Sequence, residues 1–130
     1  MILLDTNVLI RVDQLSLFED ELAVSAISLA ELRFGIERAP DVKARRQRTQ
    51  ELSYLEDVLR VSWLPFDRAA AEGYGRLAAI VAPTRPSHAR SKDILLAGHA
   101  YALGASFMTF NAKDFDLVSD EVEIIVPELR

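Results

Sequence analysis

Residues 1–10 read Met-Ile-Leu-Leu-Asp-Thr-Asn-Val-Leu-Ile, and this stretch decides the fold. Ile2-Leu3-Leu4 is a short apolar run that stops at Asp5-Thr6-Asn7, a cluster of good helix-capping residues. Val8-Leu9-Ile10 then continues as a short helix, so the order is strand, polar turn, helix. Working outward, the same grammar recurs. Residues 15–22 suggest another short helix and 22–27 a second buried strand, followed by Ser28 and a helical pattern from Leu29 to Arg38 that Pro40 closes. Residues 41–60 form a long charged helix, and 61–64 a third strand ending at Pro65. Asp67 can cap an alanine-rich helix running to about Ala82.

Two prolines bracket polar residues over 83–87, which marks a loop. A helix over 91–103 ends at Gly104, a good residue just past a helix end. Residues 105–110 read as a fourth strand running into the polar turn Asn111-Ala112-Lys113-Asp114, and 122–126 as a fifth. Strands alternating with helices imply parallel pairing through right-handed crossovers. The expected fold is α/β, a three-layer α/β/α sandwich with a mainly parallel central sheet. With no repeat, low-complexity tract or Gly/Ser linker, residues 1–130 read as a single domain.

Composition narrows the chemistry. Half of the residues are hydrophobic and 27% are charged, the balance of a soluble globular protein. There is no cysteine, which excludes disulfides and thiolate metal sites and is compatible with a reducing cytoplasm. The apolar runs are much shorter than the ~20 residues of a membrane helix, and the N-terminus has no basic region before its apolar run, so a cytoplasmic location is expected. The net charge of -5 argues against a passive nucleic-acid-binding module, which usually neutralises phosphates with a basic surface. An acidic enzyme can still work on nucleic acid if bound cations meet the reacting phosphate.

Four acids fall at telling places on this layout. Asp5 directly follows strand one, Glu31 lies in the first turn of the helix after strand two, Asp93 in the first turn of the helix after the proline-rich loop, and Asp114 just beyond strand four. Open parallel sheets hold their ligands at the carboxyl ends of strands. Four carboxylates in one cleft would repel one another unless a cation compensates. Mg²⁺ or Mn²⁺ is the natural compensator, since it prefers oxygen ligands and leaves positions for water and phosphate. The residues thus point to phosphodiester hydrolysis assisted by a divalent metal.

Here the chain resembles the PIN domain, in particular the VapC-type toxin ribonucleases, over essentially its whole length. Ile2-Leu3-Leu4-Asp5-Thr6-Asn7-Val8 is similar to the family's first motif and Ser25-Ala26-Ile27-Ser28-Leu29-Ala30-Glu31-Leu32 to its second. Asp93-Ile94-Leu95-Leu96-Ala97-Gly98-His99-Ala100 resembles the third and Thr109-Phe110-Asn111-Ala112-Lys113-Asp114-Phe115 the fourth. Gly98 and His99 stand where small or polar residues are usual, and the stretch 43–48 falls in the most variable region. The resemblance implies Mg²⁺-dependent endoribonuclease activity on an RNA substrate, homodimerisation, and neutralisation by a small cognate VapB-like antitoxin in a hetero-oligomer. It assigns Asp5, Glu31, Asp93 and Asp114 as the catalytic and metal-binding acids.

Each acid also has a plainer reading. Asp5 could cap the first helix, and Asp93 could serve the dipole of its own helix. Ser28-x-x-Glu31 has the spacing of a capping box. Asp114 lies in a turn where Asp is common, with Asp116 as a neighbouring competitor read as a solvated loop residue. Thr6, Asn7, Thr109 and Asn111 are either hydrogen-bonding supports for the carboxylates or turn residues. His88, in a loop, and His99, well inside a helix, are not expected to be ligands.

Lys43, Arg45, Arg46 and Arg48 are either a solvated helix face or, with Arg85, Arg90 and Lys92, a contact for RNA phosphates. Leu15, Leu17, Phe18, Leu29, Leu32, Phe34 and Ile36 read mostly as core, with lining of an antitoxin groove as the alternative for some. A phosphoacceptor signalling domain is a poor alternative: it needs an acidic pair beside the first strand, which only Met1 precedes here. A PIN fold kept as a binding module is the other, and the presence of all four acids speaks against it.

Overall fold

The computed structural model describes residues 1–16 and 20–130. Its centre is a five-stranded sheet in which every strand pairing is parallel. The strands are β1 (Ile2–Leu4), β2 (Leu22–Ser25), β3 (Trp63–Leu64), β4 (Ser106–Met108) and β5 (Ile124–Ile125), in spatial order β3-β2-β1-β4-β5. The helices are α1 (Thr6–Leu9), α2 (Ala26–Glu37), α3 (Val42–Ser53), α4 (Arg68–Val81), α5 (Pro86–Ala89) and α6 (Lys92–Leu103). A π-helical segment, Tyr54–Val58, continues α3, and a 3₁₀ turn, Ala112–Val118, follows β4.

Because successive side chains of a strand point to opposite faces, β1 serves two cores at once. Leu3 packs with Leu77, Val81, Ile94, Ala97 and Phe107 under α4 and α6. Ile2 and Leu4 pack on the other side with Val8, Leu9, Val24, Leu55 and Met108. Burial on both faces explains why the strands read as continuous apolar runs rather than as alternations. The strand order reverses at β1, whose neighbours are β2 on one side and β4 on the other. The crevice above the carboxyl ends of β1 and β4 is therefore the topological switch point, where such sheets bind ligands.

The α4–α6 pair is unusually intimate. A Cβ on Gly73 would lie 2.3 Å from the Gly98 carbonyl oxygen, and one on Gly98 would lie 2.4 Å from the Tyr74 nitrogen. The two backbones touch. At the far end of α6, Gly104 adopts the left-handed conformation, φ 66°, and ends the helix as its position foretold. Asp67 caps α4 by accepting from the Ala70 N–H at 3.0 Å. Asp67→Ala is expected to cost about 1 kcal/mol, a drop of a few degrees in Tm by calorimetry.

The structure corrects four local expectations. The short helix over 15–22 is absent from its described residues: Leu15 bridges Leu129, the Ser16 N–H donates to the Glu128 carbonyl, and Leu22 opens β2. Leu17, Phe18 and Glu19, two of them core candidates, lie outside the described residues. The second strand stops at Ser25 rather than residue 27, because the Ser25 hydroxyl accepts from the Ile27 N–H and starts α2 there. Pro86 is not loop but the first residue of α5, where its missing N–H leaves nothing unpaired. Phe34, read by default as core with groove lining as the alternative, is 67% exposed.

Candidate functional site

Asp5 sits where β1 hands over to α1, and its backbone N–H extends the ladder by donating to the Met108 carbonyl. One side-chain oxygen accepts from the Thr6 N–H at 2.8 Å, so it does cap α1. The other accepts from the Thr109 hydroxyl at 2.8 Å, just past β4. Asp5 is nonetheless 7% exposed, and burial pushes its carboxyl above the ordinary range. The bonds from Thr109 and Thr6 work against that rise, while the nearby charges of Asp93 and Glu31 add to it. These three acids therefore share one electrostatic neighbourhood.

Glu31 is not a capping-box residue. The cap is Ser25, three residues ahead of Ser28, which is buried inside the first turn of α2. Thr6 donates its hydroxyl proton to Glu31 Oε1 at 3.0 Å, since a carboxylate only accepts. Ser28 lies 2.8 Å from the same hydroxyl and so must be the donor there. Lys92 Nζ stands 3.3 Å from Glu31 Oε2. Both oxygens of Glu31 are thus held, one by a neutral donor and one by a cation.

Asp93 lies in the first turn of α6, partly buried. Asp114 is on the 3₁₀ turn after β4 and stands further out, with Arg85 Nη2 3.9 Å from its Oδ1. Of the four supporting polar residues, Thr6 and Thr109 orient acids directly. Asn111 acts one step back, its backbone N–H donating to Thr109 Oγ1 at 3.1 Å. Asn7 lines a cleft with Glu31, Phe34, Arg48 and Lys92. Of the basic run on α3, only Arg48 reaches that cleft; Arg45 pairs with Glu37 at 3.2 Å.

A PIN domain family model matches residues 2–121. The chain belongs to the PIN domain family. No curated protein matches its sequence. Among solved structures it is similar to VapBC-5 from Mycobacterium tuberculosis, a member of the VapBC family of toxin-antitoxin systems, at 29% identity and TM-score 0.72 over 95% of this chain and 94% of that one. It is similar to VapBC-1 from nontypeable Haemophilus influenzae at 28% identity and TM-score 0.67, over 95% and 96%. The fold alone is shared with VapBC2 from Rickettsia felis, solved bound to a promoter DNA fragment, at 22% identity and TM-score 0.70 over 98% and 100%.

In this PIN domain no three His, Asp or Glu side chains among the described residues stand close enough together to hold one metal ion unaided. Mg²⁺ does not require that: it usually keeps several waters and takes one or two carboxylates plus substrate phosphate. The donor set suits it, being carboxylate oxygen with no sulfur anywhere in the chain. So does the electrostatics, because a carboxyl raised by burial, and further by two neighbouring acids, is what a cation relieves.

His99 is buried, hydrogen-bonded through Nδ1 to Ser25 Oγ at 2.9 Å and edge-on to Phe66. Burial lowers its pKa, with Asp67 opposing, so the neutral ring is favoured. Among the described residues no helix is long and apolar enough to cross a membrane. What sequence reasoning missed is His88. It sits on α5 rather than in a loop and touches both Asp93 and the Asp114 turn.

Proposed function

We propose that this chain is a divalent-metal-dependent endoribonuclease and the toxin of a VapBC-type pair, neutralised in the cytoplasm by a small VapB-like antitoxin. The observation that carries the reading is Asp5 at the switch point of the sheet, with Thr6 bonded to both Asp5 and Glu31. The toxin role rests on likeness to solved VapBC assemblies close to this chain in length and fold. Assembly as a homodimer, and as a hetero-oligomer with the antitoxin, belongs to the same proposal.

Asp5 and Asp93 would hold Mg²⁺ or Mn²⁺, with Asp114 joining through bound water and Glu31 helping to bind the ion or orient water. Bound there, the cation would offset charge on the attacked phosphodiester and make water a better nucleophile. The chain's own work is positioning. Thr109 and the Thr6 N–H fix the Asp5 carboxylate; Thr6 and Lys92 fix Glu31. Lys92 and Arg85 place positive charge beside the acids, where a phosphate backbone would approach.

The test is cleavage of single-stranded RNA by the purified chain with Mg²⁺ and with EDTA. Cutting is expected only with the metal, and Asp93→Asn should lower the rate by at least about a hundredfold. Cleavage that persists in EDTA, or at the wild-type rate in Asp93→Asn, refutes the reading.

A further inference from the structure

His88 is one residue joining two segments that each carry a candidate metal-binding acid. Its Nε2 lies 2.8 Å from the backbone oxygen of Asp114. A carbonyl can only accept, so Nε2 carries a proton and donates it. Nδ1 faces the start of α6, 3.4 Å from Ser91 Oγ and 3.9 Å from Asp93 Oδ2. Ser91 donates its own hydroxyl proton to the His88 carbonyl at 2.6 Å.

The ring is also wedged. It meets Phe115 edge-on at 6.1 Å between centroids, and Phe115 in turn meets Phe107 of β4 at 5.0 Å. The side chain is 13% exposed, whereas Arg85, which touches the same turn, is 41% exposed and contacts it at 3.5 and 3.9 Å. Of the two, His88 makes the shorter and better shielded contact.

We propose that His88 is a positioning residue whose ring holds the Asp114 turn while its own carbonyl accepts from Ser91 at the start of α6, and which so sets how tightly the acids bind their divalent cation. This rests on the metal-nuclease reading above. Groups that hold ligand-bearing segments in place typically change metal affinity about 10–100-fold when removed.

The test is calorimetric titration of the full chain with Mn²⁺, alongside a thermal melt of each variant. His88→Gln can still present an amide N–H near the place of Nε2 and is expected to bind Mn²⁺ within a few-fold of wild type. His88→Asn, one methylene shorter and equally polar, falls short of the Asp114 carbonyl and is expected to bind about 10–100-fold more weakly, like His88→Leu. In an Asp114→Ala background, His88→Leu should cause no further loss, because the two act through one element.

Unchanged affinity in both His88→Asn and His88→Leu overturns the inference, as does an equal loss in the Asp114→Ala background. The metal-nuclease reading fails separately, and takes this inference with it, if the wild type neither binds Mn²⁺ nor cuts RNA. If the wild type does both and the variants match it, only the role of His88 falls.

Discussion

Asp5→Asn is expected to lower RNA cleavage by about a thousandfold or more, equivalent to ~4 kcal/mol of transition-state stabilisation, while the metal-free protein becomes no less stable near neutral pH. Asparagine matches aspartate in shape. Its oxygen can keep the Thr6 N–H and its amide can donate to Thr109 Oγ1, reversing the bond that Thr109 now donates. What disappears is the charge.

The sign of the stability effect follows from the raised carboxyl, which burial, Asp93 and Glu31 push up against the bonds from Thr109 and Thr6. A group whose folded pKa lies above its unfolded one stabilises fully below the unfolded value. That contribution is lost as pH rises through the folded value. In EDTA the wild type should therefore lose stability relative to Asp5→Asn as pH climbs from the ordinary carboxylate value through the raised one. Mn²⁺ should raise the melting temperature of the wild type and leave that of the variant nearly unchanged. Equal Mn²⁺-induced shifts in the two proteins would remove Asp5 from the metal site.

Gly98→Ala is expected to destabilise the fold by about 3 kcal/mol or more, a Tm loss of roughly 10 °C. The added Cβ would sit 2.4 Å from the Tyr74 nitrogen, 2.5 Å from its Cα and 2.9 Å from the Gly73 carbonyl carbon. All three are backbone atoms of α4, so relief requires the helices to move apart and loosens the packing of Leu77, Ile94 and Ala97 between them. The gain in helix propensity, about 1 kcal/mol for Gly to Ala, offsets only part of this. Gly75→Ala is the matched control: it lies on α4 with open space around its Cβ, and should stabilise by about 0.5–1 kcal/mol. Calorimetric melts of the two variants side by side decide it. A Gly98→Ala protein melting within 2 °C of wild type would mean the helices separate at little cost.

Much of the architecture was legible because local signals and global demands agreed. Ile2-Leu3-Leu4 before Asp5-Thr6-Asn7 can hardly be anything but a buried strand entering a cap, and Gly104 and Asp67 end and start helices as their chemistry requires. The errors came where two residues competed for one role or a distant partner intervened. Ser25 and Ser28 are both good caps by type. Thr6, twenty-two residues upstream, claims the hydroxyl of Ser28 and leaves the cap to Ser25. Phe34 shows that apolar type on α2 does not say which face meets solvent. His88 was invisible as a supporting residue because its value lies in a backbone carbonyl twenty-six positions away. Residue types alone encode no such pairing.

The bond from Thr109 to Asp5 spans 104 positions in the chain. Strand β1 is made before β4, yet it lies at the centre of the sheet and waits for β4 to close its second edge. Until then Asp5 lacks Thr109. Long-range pairing of this kind is slow to form and comes late. A half-translated chain would carry the first acid without its setting, so the cleft is assembled only after β4 has been added.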